Sequence, residues 1–178
     1  MATHPKTRKI FLVGPMGAGK STIGHLLSKR LKRPFTDMDE MIVERTGRSI
    51  PEIFAQDGES AFREIESAVL DELCASAEGD IIATGGGAIL AETNRKRMQS
   101  NGLVVWLDVS PETAARRITG DANRPLLHGV DAQEKARQLD LQRRPLYASI
   151  SDIHVETDRF EPEQAVDLIL SEGDDPYR

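Results

Sequence analysis

The chain of 178 residues lacks several features that would assign it to particular protein classes. It has a single cysteine, Cys74, which excludes an internal disulfide framework and fits a reducing compartment. Aromatic residues make up only 4%, so the core must consist mainly of aliphatic side chains. No run approaches the roughly 20 apolar residues that a membrane span needs. The length and balanced composition predict one domain over residues 1–178, with its core at about 9–171.

An excess of basic residues is also missing, because the formal net charge is −6 at pH 7. This charge argues against nonspecific binding to nucleic acid, although a few arginines in a cleft can still bind a small anion. The apolar run 10–13 ends after four residues, whereas a signal peptide continues for about 7–15. We therefore expect a cytoplasmic protein without a membrane or nucleic-acid partner. In the absence of an apolar heptad pattern, we expect a monomer.

Apolar segments alternate with amphipathic ones about five times along the chain, which predicts a parallel sheet covered by helices on both faces. The predicted strands are 9–13, 35–37, 80–84, 103–109 and 153–156. The predicted helices are 20–32, 39–45, 59–76, 92–100, 111–117, 132–144 and 162–170, with a further helix start at 49–52. We expect Pro145 to end the helix that begins at 132 and Gly47 to end the one at 39–45. Residues 119–130 have no periodicity and predict a mobile lid.

A glycine-rich segment between the first predicted strand and helix carries the sharpest signal. Residues 14–21 read Gly-Pro-Met-Gly-Ala-Gly-Lys-Ser and fit the phosphate-loop pattern G-x-x-x-x-G-K-[ST]. Such a loop turns successive backbone N–H groups towards phosphate oxygens, and the helix N-terminus adds partial positive charge. Lys20 can reach the β- and γ-phosphates of a nucleotide, and the Ser21 hydroxyl can bind Mg²⁺. The alternative, a chance glycine turn, does not explain the strand before it and the helix after it.

Several charged residues favour a small-molecule kinase among the proteins with this loop. The Asn-Lys-x-Asp motif of GTPases is absent, and the chain is short for a motor or transporter ATPase. Asp37 and Asp39 follow the second strand, where one can face a metal and the other an acceptor hydroxyl, unless Asp39 only caps the next helix. Arg63 flanks an apolar helical stripe and suits bidentate binding of a carboxylate. For any one arginine, the alternative is a solvated surface charge.

Over nearly its whole length the chain resembles shikimate kinases. The matching segments, beyond the phosphate loop extended to Thr22, are Asp-Met-Asp (37–39), Thr-Gly-Arg-Ser-Ile (46–50), Ile-Phe-Ala-Gln-Asp-Gly-Glu (53–59), Phe-Arg-Glu-Ile-Glu (62–66), Thr-Gly-Gly-Gly-Ala (84–88), Asn-Arg-Pro-Leu-Leu (123–127) and Arg-Arg-Pro-Leu-Tyr (143–147). The phosphate loop alone is widely shared, but the triple glycine and the two arginine motifs in this order are far more specific. The resemblance implies a three-layer α/β P-loop fold with a five-stranded parallel sheet in the order 2-3-1-4-5. It also implies transfer of the γ-phosphoryl group of ATP to the 3-hydroxyl of shikimate, with Mg²⁺.

The resemblance also implies roles for individual residues. Asp39 holds the acceptor hydroxyls and assists proton removal, while Lys20 and Arg124, the latter in the lid, contact the transferring phosphoryl group. ATP lies against Gly17, Ala18, Gly19, Lys20, Ser21 and Thr22, with its adenine between Arg117 and Pro162. Shikimate, bound with helices at about 38–66, contacts Asp39, Arg63, Glu66, Gly85, Gly86, Gly87 and Arg143. The metal site comprises Ser21 and Asp37.

Two residues compete with these assignments. Arg144 follows Arg143, and we assign Arg143 to the carboxylate because it precedes Pro145 by two residues, as the Arg-x-Pro motif requires. Asp108 ends an apolar strand and mimics a second metal-binding motif, but the resemblance places no metal ligand there. The four histidines share no ligand spacing.

Two other functions stay open at this point. Another small P-loop kinase would act on gluconate or a nucleoside monophosphate, although a nucleotide acceptor calls for a second base pocket. A catalytically silent ATP-binding module would be expected to lack Lys20, Asp39 or Arg124, and all three are present.

Overall fold

One parallel sheet of five strands forms the centre of the computed structural model, which describes residues 8–76, 80–118 and 132–173. The strands are β1 (Lys9–Val13), β2 (Phe35–Asp37), β3 (Ile81–Ala83), β4 (Gly102–Asp108) and β5 (Ile153–Glu156). They lie in the order β2-β3-β1-β4-β5, and all neighbours are parallel. This order confirms the predicted fold. It also brings the carboxyl ends of β1, β2 and β3 together at one edge.

Helices cover both faces of the sheet. They are α1 (Lys20–Leu31), α2 (Met38–Thr46), α3 (Ile50–Ala75), α4 (Glu92–Asn101), α5 (Pro111–Ile118), α6 (Ala132–Ile150) and α7 (Pro162–Gly173), with a short 3₁₀ helix at Ala88–Leu90. Side chains alternate along β1, so Phe11 and Val13 pack with α2, α3, α4 and α6, while Ile10 and Leu12 pack with α1, α5 and α7. Burial on both faces explains why β1 reads as a continuous apolar run.

Two helices lead from the sheet edge to the candidate site. Asp37 caps α2, because its Oδ1 accepts a hydrogen bond of 2.9 Å from the backbone N–H of Asp39. The hypothesis that Asp39 is the cap is therefore wrong, and the Asp39 side chain is left for other contacts. The prediction that Gly47 ends this helix is confirmed, since Gly47 has φ 64°. The predicted start at 49–52 is also confirmed, because Ser49 and Glu52 form a capping box at the beginning of α3.

Proline does not end α6, contrary to the prediction. The helix continues through Pro145 to Ile150. Proline removes one backbone hydrogen bond and normally breaks or kinks a helix. Here the next turn carries Tyr147 and Ile150, which are 2% and 5% exposed and pack in the core. Their burial outweighs the missing bond.

Two further predictions concern the long helix α3 and the lid. Gly58 interrupts α3 with φ 85° and ψ 171°, so two helical segments meet there, and the second begins where a helix was predicted. The predicted lid at 119–130 lies outside the described residues. In the described ranges, the structure contains no helix long and apolar enough to cross a membrane.

Candidate active site

The predicted phosphate loop lies between β1 and α1. Gly14 has φ 150°, and a Cβ atom there would lie 2.3 Å from the carbonyl oxygen of Leu107 on β4, so the loop approaches the next strand too closely for a side chain. Gly17 and Gly19 have φ values of 81° and 89°, which favour glycine. Ala18, between them, is buried and donates its backbone N–H to the carbonyl of Pro15 at 3.2 Å. The motif thus forms a tight loop that ends at the first turn of α1.

Lys20 and Ser21 open α1, as predicted, and each has a polar partner. The Lys20 ammonium donates hydrogen bonds to the carbonyls of Gly14 and Pro15, at 2.8 and 2.9 Å, so it lies across the loop. The Ser21 hydroxyl donates to Asp37 Oδ2 at 2.6 Å. A hydroxyl and a carboxylate are hard oxygen donors of the kind that Mg²⁺ prefers. The two predicted metal-site residues therefore lie together, although they come from different elements.

An open cleft of about 480 Å³ lies beside the loop. Arg117, at the end of α5, and Pro162, at the start of α7, both line it, together with Ala18, Gly19 and Thr22. The Arg117 guanidinium donates a hydrogen bond of 2.8 Å to the carbonyl of Gly17, which fixes its position relative to the loop. The structure therefore brings together the two residues predicted to hold the adenine.

The triple glycine follows β3, and its first and last glycines meet three charged side chains. A Cβ atom at Gly85 would lie 2.6 Å from Glu66 Oε1 and 3.0 Å from Asp39 Oδ1. One at Gly87 would lie 2.3 Å from both terminal nitrogens of Arg63. Only glycine leaves room for these groups. The loop therefore brings together carboxylates and a guanidinium from α2 and α3, residues far apart in the sequence.

Arg143 joins this cluster from α6. Its Nη1 would lie 3.2 Å from a Cβ atom at Gly86, and the same Cβ atom would lie 3.6 Å from the carbonyl oxygen of Gly14 and the backbone nitrogen of Met16. Gly86 therefore stands between Arg143 and the phosphate loop. Arg143 is 3% exposed. The alternative of a solvated surface charge is wrong for this residue.

Burial and ion pairing set the protonation of the cluster. Glu66 is 1% exposed, and its burial raises the pKa of its carboxyl group, although Arg63, at 2.8 Å, acts against this shift. Burial opposes the charge on Arg63, but attraction to Glu66 and Glu59 outweighs it and raises the guanidinium pKa. For Arg143, burial lowers the pKa, and the positive charge of Arg63 acts in the same direction. The half-buried Arg63 and the buried Arg143 thus bring positive charge close together beside the triple glycine.

Three buried polar atoms in this cluster have no hydrogen-bond partner in the described structure: Arg63 Nε, Glu66 Oε1 and Arg143 Nε. Buried polar atoms without partners are rare, and each requires an explanation. Three of them in one cluster favour the binding of a polar, anionic molecule. Arg124 cannot be compared with them, because it lies outside the described residues.

Sequence reasoning missed one contributor, Tyr147. Its hydroxyl donates a hydrogen bond of 2.7 Å to the carbonyl of Gly86, and it also accepts one from Arg143. Burial, the largest cause, raises the pKa of this phenol, so it stays protonated. Residues four apart share a face of a helix, which is a signal that could have linked Tyr147 to Arg143. The prediction that α6 ends at Pro145 concealed it.

Comparisons with known proteins agree with this geometry. Residues 16–173 match the family model described as shikimate kinase. Shikimate kinase of Pseudomonas fluorescens (strain Pf0-1) is 48% identical over 163 residues, which cover 92% of this chain and 94% of the relative. That of Pseudomonas aeruginosa (strain LESB58) is 49% identical over 161 residues, covering 90% and 93%. A solved structure, shikimate kinase from Acinetobacter baumannii in complex with shikimate, is 40% identical, with a TM-score of 0.89 and coverage of 92% and 91%. The chain belongs to the shikimate kinase family.

Proposed function

We propose that this chain transfers the γ-phosphoryl group of ATP to the 3-hydroxyl of shikimate. One observation carries the proposal: Gly86 lies against both Arg143 and the backbone of the phosphate loop. The arginine cluster and the phosphate site are therefore neighbours, as they must be if an acceptor hydroxyl is to reach the γ-phosphate. Shikimate is a carboxylate with three hydroxyls, so it needs cations at one end and a hydroxyl-binding group at the other.

The substrate contacts follow from the charges in the cluster. Arg63 and Arg143 bind the carboxylate, and Glu66 holds Arg63 in place through the 2.8 Å ion pair. Asp39 accepts hydrogen bonds from the acceptor hydroxyls. Backbone N–H groups of the triple glycine, 85–87, contact the substrate. Carboxylates beside guanidiniums favour a molecule that is anionic at one end and rich in hydroxyl groups.

ATP lies on the other side of Gly86. The backbone amides of 17–22 surround the phosphates, Lys20 moves from the loop carbonyls to the phosphate oxygens, and Arg117 and Pro162 enclose the adenine. Mg²⁺ fits the pair Ser21 and Asp37, because both offer hard oxygens, and the ion supplies charge neutralisation to the phosphates.

Positioning and electrostatics account for the rate. The transition state of phosphoryl transfer is loose, so Asp39 needs only to orient the hydroxyl and accept its proton. Lys20 and Arg124, the latter assigned from the family motif in the lid, neutralise the charge on the transferring group. Closure of the lid at 119–130 excludes water, which suppresses hydrolysis of ATP.

A coupled assay of ADP release tests the proposal with shikimate, gluconate and AMP as acceptors. We expect turnover with shikimate and a product that carries phosphate on the 3-hydroxyl. Turnover with gluconate or AMP instead would favour another small P-loop kinase. Absence of turnover with all three acceptors would favour a silent ATP-binding module.

The substitution Arg63→Ala tests the carboxylate contact. We expect it to raise the KM for shikimate much more than the KM for ATP, because Arg63 touches the triple glycine and not the base cleft. Equal losses for both ligands would contradict this assignment.

We also propose that the chain acts as a single-domain monomer in the cytoplasm, with no nucleic-acid or membrane partner. The net charge of −6 and the lone cysteine support these expectations. Light scattering at assay concentration tests the oligomeric state, and a dimer mass would contradict it.

A further inference from the structure

Asp108, at the end of β4, is a buried carboxylate outside the proposed reaction. Its side chain is only 5% exposed. Arg144 binds it with both terminal nitrogens, Nη1 to Oδ1 at 2.9 Å and Nη2 to Oδ2 at 2.5 Å. His154 Nε2 lies 2.8 Å from Oδ2. Asp108 thus pairs with two side chains of the protein, Arg144 and His154, and not with Ser21 or Asp37 of the predicted metal site.

Arg144 is held by more than this bidentate pair. Its guanidinium lies over the ring of Trp106 on β4, 5.1 Å from the centroid, and 3.4 Å from Asp140 one turn earlier on α6. Trp106 stacks on His154 with ring centroids 4.2 Å apart. We call Asp108, Arg144, His154 and Trp106 the β4 clasp. It fastens α6 to β4 and β5.

The clasp lies next in the chain to a residue of the substrate site. Arg143 precedes Arg144, and its guanidinium reaches Gly86 instead of Asp108. Successive side chains leave a helix about 100° apart around its axis. Contacts that hold Arg144 against β4 therefore fix the rotation of this helical turn, and with it the direction in which Arg143 leaves the helix. Tyr147 stabilises the same turn from the site side through its hydrogen bond to Gly86.

This turn of α6 needs such support. Pro145 has no backbone N–H, so the helix lacks one of its own hydrogen bonds beside Arg143. Helices bend or kink where this bond is missing. Side-chain contacts that join the turn to β4 therefore replace part of the rigidity that the backbone does not supply.

We propose that Asp108 and Arg144 are positioning residues for shikimate binding, because they hold Arg143 in the direction that reaches the substrate carboxylate. This inference rests on the proposed role of Arg143. The two residues do not touch the substrate. Their effect on shikimate binding passes through Arg143. It should therefore disappear when Arg143 is absent, whereas a general effect on stability would remain.

A double-mutant cycle on kinetic constants tests the inference with Arg144→Ala, Arg143→Ala and the double variant. We expect Arg144→Ala to raise the KM for shikimate about 5- to 20-fold and to leave the KM for ATP within about twofold, as loss of one coupled contact does. In the Arg143→Ala background, the same change should add less than about twofold. Arg137→Ala, on the same helix as Arg144, is the matched control, because it breaks an exposed ion pair with Glu112 of α5. We expect it to leave both KM values unchanged.

Three outcomes would overturn the inference. If Arg144→Ala leaves the KM for shikimate unchanged, or if its effect multiplies in full with that of Arg143→Ala, the clasp does not act through Arg143. If Arg143→Ala itself leaves this KM unchanged, the proposed carboxylate contact fails, and the inference fails with it. Asp108→Asn keeps the shape of the side chain and replaces Arg144→Ala in the cycle if that variant does not fold.

Discussion

Gly87 lies where one added methyl group would push directly on Arg63, the arginine proposed to bind the carboxylate. Its backbone has φ −96° and ψ −4°, which alanine adopts without strain. A Cβ atom would nevertheless lie 2.3 Å from Nη1 and Nη2 of Arg63 and 2.4 Å from Cζ. Normal contacts are about 3.5 Å, so the guanidinium must move by roughly 1 Å. Gly87→Ala therefore displaces Arg63 without changing any charge.

The size of the effect follows from this displacement. A misplacement of about 1 Å in a substrate-positioning group costs on the order of 100-fold in rate or binding. The movement also weakens the ion pair between Arg63 and the buried Glu66. Leaving a buried polar group without its partner costs about 1–3 kcal/mol. We expect the KM for shikimate to rise about 10- to 100-fold, with the KM for ATP within about twofold.

Initial rates with shikimate varied at saturating ATP measure this prediction. Gly173→Ala is the matched control, since its Cβ atom would meet Leu103 at an ordinary 3.4 Å, far from the site. In an Arg63→Ala background, Gly87→Ala should have little further effect on the KM for shikimate. A wild-type KM in Gly87→Ala, or equal losses for both ligands, would refute the placement of Arg63 against the substrate.

Three further predictions concern single side chains. Asp39→Asn should lower kcat by at least about 100-fold while ATP binding survives, and normal turnover would contradict its proposed role on the acceptor hydroxyl. Glu66 has a raised pKa, so its contribution to stability is present below the ordinary value of 4.5 and is lost as the pH rises through the folded-state pKa. Thermal melts measure this as the free energy of unfolding of the wild type minus that of Glu66→Gln. The difference should fall as the pH rises from 4.5, and a rise would contradict the raised pKa of Glu66. Ser49→Ala should lower the free energy of unfolding by about 1 kcal/mol through loss of the capping box, with unchanged shikimate kinetics, and denaturant melts with no change would contradict this.

Local signals in the sequence were enough to predict most of the fold. The bounds of β1, β2 and β5 agree with the structure. For β1 the reason is that a strand buried on both faces of the sheet reads as a short apolar run. Gly47 and the Ser49 capping box also act through neighbouring backbone, so they could be predicted from adjacent residues. The prediction that Pro145 ends a helix was wrong, because the helix continues where Tyr147 is buried, and this burial depends on the distant sheet.

The candidate site also has one part that local sequence predicts and another that depends on contacts between distant elements. The phosphate loop is one continuous segment, and its motif predicts its geometry directly. The meeting of Arg63 and Gly87 depends on α3 packing beside the segment that follows β3, which no local pattern encodes, so family resemblance was needed to place it. Arg144 and Asp108 could not be paired from sequence, because their contact joins two elements 36 residues apart.

A crystal structure of the protein with shikimate and ADP would test the central claim most directly. It should show the carboxylate of shikimate within hydrogen-bond distance of both Arg63 and Arg143, and its 3-hydroxyl on Asp39, facing the phosphate loop. A carboxylate bound away from both arginines, or an Asp39 side chain turned away from every hydroxyl, would contradict the account.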